Sequence, residues 1–172
     1  MSISIVLPDN YGYVLLLAIT FVFEYTMVGF IVGGGSRKHA FNEKWMDVNF
    51  GEEHRKAFGP DSKPSKEGYP DTGQGRYSQH LAYRDWFQFN LSQRCHGNFT
   101  ETVVQQTLAM LVCGVFYPTL ATYLGVASIV GRLAYTVGYQ REPKARVFGF
   151  IVTMLSLLTM TGAAIKGVSG LL

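Results

Sequence analysis

The stretch "YGYVLLLAITFVFEYTMVGFIV", residues 11–32, contains one charged residue, Glu24, and no proline. A helix needs about 20 apolar residues to cross the hydrocarbon core of a bilayer, and this run has that length. It precedes Gly33-Gly34-Gly35, where the apolar run ends. The ten residues before it hold Asp9 and no Lys or Arg, and no clear small-residue cleavage site precedes the polar region. Residues 11–32 therefore read as a retained span rather than a secretory leader.

The rest of the chain repeats the pattern. Thr102 to Gln140 carries one charge, Arg132, and Val147 to Leu172 carries one, Lys166. Of 172 residues 48% are hydrophobic and only 16% charged, against about 25% charged in ordinary soluble domains. A soluble helix needs a wet face. These segments have none, so lipid is their better solvent. Further spans are expected at about 90–116, 119–139 and 147–168, with Tyr117-Pro118 and "QREPKAR" (residues 140–146) as the connections. No series of alternating ten-residue strands suggests a barrel, and helices satisfy their backbone groups internally. The expectation is an all-α integral membrane protein, a four-helix transmembrane bundle forming one domain over residues 1–172.

Residues 36–90 stand apart as a long polar insert between the first and second spans. They hold nine Lys/Arg, eight Asp/Glu and prolines at 60, 64 and 70, with no helical period running through them. A surface insert is expected. The insert and "QREPKAR" carry nearly all the Lys and Arg. The positive-inside rule puts both on the cytosolic side, or on the matrix side of a mitochondrial membrane. The matches to the glycosylation pattern at Asn90 and Asn98 would then face the wrong compartment and read as chance. A net charge of +3 is too small and dispersed for nucleic acid. Cys95 and Cys113 have no pairing pattern and are expected as free thiols. No metal site is expected.

Polar residues cluster at the span ends. Arg94, Asn98 and Glu101 stand at offsets 0, 4 and 7, one face of a helix. Arg132, Tyr135 and Tyr139 stand at 0, 3 and 7, again one face. Arg141 and Arg146 lie just beyond, in the turn before the last span. One reading is mutual satisfaction, Arg94 with Glu101 or Glu101 with Arg132, because charge in lipid must be neutralised. The other is a ligand site. Four arginines against one glutamate leave positive charge for an anion, and guanidinium suits carboxylates. Glu101 would take an ammonium and Asn98 a peptide group. Glutathione fits that description. Gln105 and Gln106, polar at lipid level, read as interhelical hydrogen-bonding residues, and Glu24 in mid-span raises the same question.

"FNLSQRCHGNFTE", "CGVFYPTLATYLGVASIVGRLAYTVGY" and "QREPKAR" resemble the MAPEG family, the membrane-associated proteins of eicosanoid and glutathione metabolism. The branch most alike is the microsomal glutathione transferases of the third type, which "YGYVLLL" also resembles. The resemblance leaves most of residues 36–90 outside. It implies four-helix spans assembled as a homotrimer, with glutathione as co-substrate between subunits. Arg94 would then bind a glutathione carboxylate. Asn98 and Glu101 would hold the peptide and its amine, and His96 would fall where the family has Gln or His. Tyr135, Tyr139, Arg132 and Arg141 would line the pocket. Arg146 would be the catalytic residue that stabilises the thiolate, and Arg37 a second basic residue near the sulfur. After Glu101 the family's aromatic and proline are replaced by Thr102-Val103, which puts one contact and one kink in doubt.

The implied activity is a glutathione transferase or peroxidase acting on lipophilic electrophiles or lipid hydroperoxides, in the endoplasmic reticulum or a mitochondrial membrane. Two other roles use the same fold. One is a non-catalytic accessory subunit of a larger membrane complex, for example a respiratory one, with the insert as docking arm. The other is a lipid-binding, non-catalytic member.

Overall fold

The computed structural model describes residues 6–172 and, among them, contains helices and no strand. Helix α1 (Tyr11–Val28) passes through a π-helical turn, Gly29–Gly34, into α2 (Gly35–Ala40). Helix α3 (Glu43–Phe58), a loop and a 3-10 turn at Ser78–His80 follow. Helices α4 (Tyr83–Phe116), α5 (Pro118–Arg141) and α6 (Val147–Ser169) complete the chain, with a 3-10 turn at Pro143–Arg146 before α6. Among the described residues, four helical stretches are long and apolar enough to cross a membrane: Tyr11–Ala40, Tyr83–Phe116, Pro118–Arg141 and Pro143–Ser169.

Three boundaries differ from the sequence expectation. The triple glycine does not end the first helix; all three residues are helical. Beside the π turn the Gly33 carbonyl accepts from Ser36 Oγ at 2.8 Å and Gln93 Nε2 at 3.3 Å. The second long helix begins at Tyr83, not near residue 90, and its 34 residues extend about 51 Å at 1.5 Å per residue. Residues 36–90 are not without helix. In α3 the Asn42 side chain caps the N-terminus by accepting from Trp45 N at 3.0 Å, and Gly59 at φ 104° ends it. Its buried apolar residues are only Met46 and Phe50, one turn apart, too few to give a readable period.

The fold divides into two compact units, one holding residues up to Thr26 together with Asn98–Leu172, the other Met27–Gly97. In the first, α1 buries Tyr11, Val14 and Ala18 against Ala109, Met110 and Cys113 of α4, Ala121 of α5, and Met160 and Ala164 of α6. The opposite faces stay apolar and exposed, as at Ile19, Phe23, Leu158 and Ile165. Burial in protein on one side and apolar exposure on the other suits lipid-facing helices. Pro118 opens α5 at its first position, where the missing N–H costs no hydrogen bond. Helices α5 and α6 approach closely at Gly149, where a Cβ would strike the backbone of Tyr135 and Gly131. Cys95 and Cys113 are buried, and neither is in a disulfide among the described residues.

The second unit has its own aromatic core of Phe41, Met46, Phe50 and Phe89. The Phe41 and Phe89 rings meet edge to face at 4.9 Å, and those of Phe50 and Tyr77 at 4.7 Å. The loop after α3 is held by Asp71. Its carboxylate accepts from the backbone N–H of Gly73, Gly75 and Ser78 at 2.7, 3.0 and 2.7 Å, and from Ser78 Oγ at 3.0 Å. Burial alone would raise this carboxyl, but those donors outweigh it and hold Asp71 below the usual carboxylate range.

Candidate functional site

In the first unit the expected polar residues of α4 and α5 meet as a stack of cations and rings. Tyr135 and Tyr139 are one helical turn apart on α5, and their rings pack edge to face at 5.6 Å. The Arg132 guanidinium lies 4.4 Å from the centre of the Tyr135 ring and 4.2 Å from that of Phe99 on α4. At the other end the Arg146 guanidinium lies 4.6 Å from the centre of the Tyr139 ring. The order is therefore Phe99, Arg132, Tyr135, Tyr139, Arg146. The three α5 members follow from a single helical face; Arg146 joins because Pro143 and the 3-10 turn reverse the chain at that height.

Arg132 is 2% exposed, an unusual place for an obligate cation. Its Nη1 donates to Asn98 Oδ1 at 2.9 Å, and Asn98 Nδ2 donates to Glu101 Oε2 at 3.4 Å. The chain Arg132–Asn98–Glu101 thus runs from the interior to an exposed carboxylate. Arg146 is half-buried next to the N-terminus of α6, where unpaired backbone N–H groups add partial positive charge. Arg141 is exposed at the end of α5.

The remaining expected residues belong to the second unit. Arg94 is exposed on α4. His96 is half-buried, its ring so close to Gly29 that a Cβ there would be 2.8 Å from Cε1. Arg37 is 5% exposed, and both of its Nη atoms donate to backbone carbonyls. Nη1 reaches the Glu67 carbonyl at 3.1 Å, Nη2 the Asp71 carbonyl, and the guanidinium lies 4.2 Å from the centre of the Tyr69 ring. It holds the loop after α3. Phe99, the shelf under Arg132, was not readable as a site residue, because it is one more aromatic in an apolar helix. Gln106 forms the interhelical bond expected of it, to Ser128 Oγ, whereas Gln105 is exposed. Asn90 bonds to the Trp86 carbonyl within α4, at 2.9 Å.

Cations seated on aromatic faces, beside an amide and a carboxylate, can receive an anionic ligand that also carries an amine. The MAPEG family model matches residues 13–166, nearly the whole chain. The chain belongs to the MAPEG family. This family includes glutathione transferases and related enzymes, and its members generally use glutathione. Membership and the four apolar helices together make this MAPEG protein an integral membrane protein in contact with the bilayer. Among the described residues no group of His, Cys, Asp and Glu is arranged to hold a metal ion.

Proposed function

We propose that the protein is a membrane-bound glutathione transferase or peroxidase, of the type resembling the third class of microsomal glutathione transferases. The observation that carries this reading is the Arg132–Tyr135–Tyr139–Arg146 stack beside Asn98 and Glu101. Glutathione supplies carboxylates for the arginines, an amine for Glu101 and peptide groups for Asn98, with Arg141 at the rim; Arg94 and His96 are ligands by the family resemblance alone. Arg37 is left out of the ligand set, because its donors hold the insert.

Chemistry follows from charge. A free thiol has a pKa of about 8.5, so most of it is protonated at neutral pH. A guanidinium close to sulfur favours the anion, and the α6 N-terminus adds to it. Arg146 is the residue in this set that can do both. The thiolate then attacks a lipophilic electrophile, or reduces a lipid hydroperoxide, delivered through the bilayer.

By the distribution of Lys and Arg, the insert and "QREPKAR" face the cytosol or the matrix. The working assembly on this reading is a homotrimer in the endoplasmic reticulum or a mitochondrial membrane, each chain contributing one family domain. An accessory-subunit role has no specific observation behind it, and the insert carries a core of its own.

The test is turnover of glutathione with a lipophilic electrophile by the purified protein in detergent. Removing a preorganised charge partner costs about 10²–10³ in kcat, so Arg146→Ala is expected to lose at least about a hundredfold, with Arg146→Lys in between. Wild-type turnover that Arg146→Ala leaves unchanged would remove the catalytic assignment.

A further inference from the structure

Glu24 lies in the first span, on the stripe of α1 that buries Tyr11, Val14, Ala18 and Phe21. It is 8% exposed, and both carboxyl oxygens are buried without a hydrogen-bond partner among the described residues. An ionisable side chain held inside a membrane bundle calls for a partner. The packing around it names one. Phe21 and Tyr25, on either side of Glu24, both set their rings edge to face against Phe99, at 5.1 and 5.5 Å. Phe99 also lies against the Arg132 guanidinium, at 4.2 Å. The turn of α1 that carries Glu24 and the buried arginine therefore converge on one ring.

We propose that Glu24 is the counter-charge of Arg132 and, through it, a positioning residue that fixes which side of the Asn98 amide faces a ligand. Arginine cannot lose its proton here and offers donors only. The Phe99 and Tyr135 rings and the Asn98 amide carry no net negative charge. A carboxylate in the same low-dielectric interior does cancel the arginine's charge. Held this way, Arg132 admits only the oxygen of Asn98, at 2.9 Å. The amide nitrogen is then forced outward, where it reaches Glu101. Asn98 becomes a donor toward the pocket, and the ligand group it meets must be a carbonyl or a carboxylate. The charge pair stands on the packing of α1, α4 and α5; its effect on the ligand rests on the glutathione reading.

The experiment uses the full chain in detergent, as Glu24→Gln, Arg132→Gln, the double variant and Glu24→Asp. It reads the thermal midpoint of helicity and the Kd for glutathione by equilibrium dialysis. Each neutralising single variant is expected to lower the midpoint, and the double variant to recover much of the loss, since contacting groups are non-additive. Glu24→Gln is expected to weaken glutathione about tenfold, equivalent to one charge-assisted contact, with partial rescue in Glu24→Asp. The inference is overturned if the midpoint losses simply add, or if Glu24→Gln changes neither midpoint nor Kd. Should Glu24→Gln fail to fold, the double variant decides: recovery of folded protein upholds the pair and continued failure overturns it. If the wild type binds no glutathione, the proposed function falls and the midpoints alone judge the pair.

Discussion

Arg37 and Arg132 are both buried arginines, yet they do opposite work. Arg132 stands at the head of a stack of rings that ends in Arg146. Arg37 is tied to the carbonyls of Glu67 and Asp71, 30 and 34 residues further along. The sequence makes the first legible, because offsets of 0, 3 and 7 place Arg132, Tyr135 and Tyr139 on one helical face by local geometry alone. It hides the second. A basic residue just past a membrane span looks available, and no local pattern reveals a partner so distant. Arg37→Ala is therefore expected to lower the thermal midpoint of the protein while changing glutathione affinity far less than Arg94→Ala does. Parallel thermal scans and binding titrations check this, and the opposite ranking would return Arg37 to the site. Asp71 gives a second test at this scale. Asp71→Asn turns one of its acceptors into a donor facing N–H groups and is expected to cost about 1–3 kcal/mol. The wild-type carboxyl is held below its usual range, so its contribution is present above the unfolded-state pKa and is lost as pH falls through the folded one. Protease susceptibility of residues 59–82 should thus stay flat from neutral pH downward and rise only below about pH 4. In Asp71→Asn that acid step should be missing.

At the level of helices, the four spans were readable from hydropathy, but their ends were not. Three glycines signal a helix stop, yet side chains from Ser36 and Gln93 meet the Gly33 carbonyl, and the helix continues to Ala40. Helix α3 has too few apolar residues to show a period, and its capping Asn42 is legible only once the helix is known. Spacing between helices rests on small residues. A Cβ at Gly149 would press on the α5 backbone at Gly131 and Tyr135, while one at Gly162 meets nothing within 4 Å. Gly149→Ala is expected to destabilise by about 1–3 kcal/mol through overpacking. Gly162→Ala is expected to be neutral or slightly stabilising. Thermal unfolding followed by helicity separates the two, and equal effects would contradict the close approach of α5 and α6. Gly29→Ala should displace the His96 ring, since the added carbon would sit 2.8 Å from Cε1.

Across the whole molecule, two compact units share one chain, and the family match spans both. The insert was expected as a surface segment; it has its own aromatic core, which scattered aromatics in a charged segment do not advertise. Membrane orientation can be read with one cysteine. Cys95 and Cys113 are buried, whereas Ser65 is exposed, so Ser65→Cys gives a single accessible thiol. In sealed microsomes an impermeant maleimide added outside should label it at once; labelling only after permeabilisation would invert the topology. The central claim is narrower: cations seated on the α5 tyrosines hold glutathione as its anion. Its most direct test is a titration of the bound glutathione thiol, followed by thiolate absorbance at saturating protein. The account expects a thiolate at neutral pH in the wild type, with the thiol pKa well below that of free glutathione and returned toward it in Arg146→Ala. Glutathione bound entirely as the thiol, or a thiolate signal undiminished in Arg146→Ala, would contradict it.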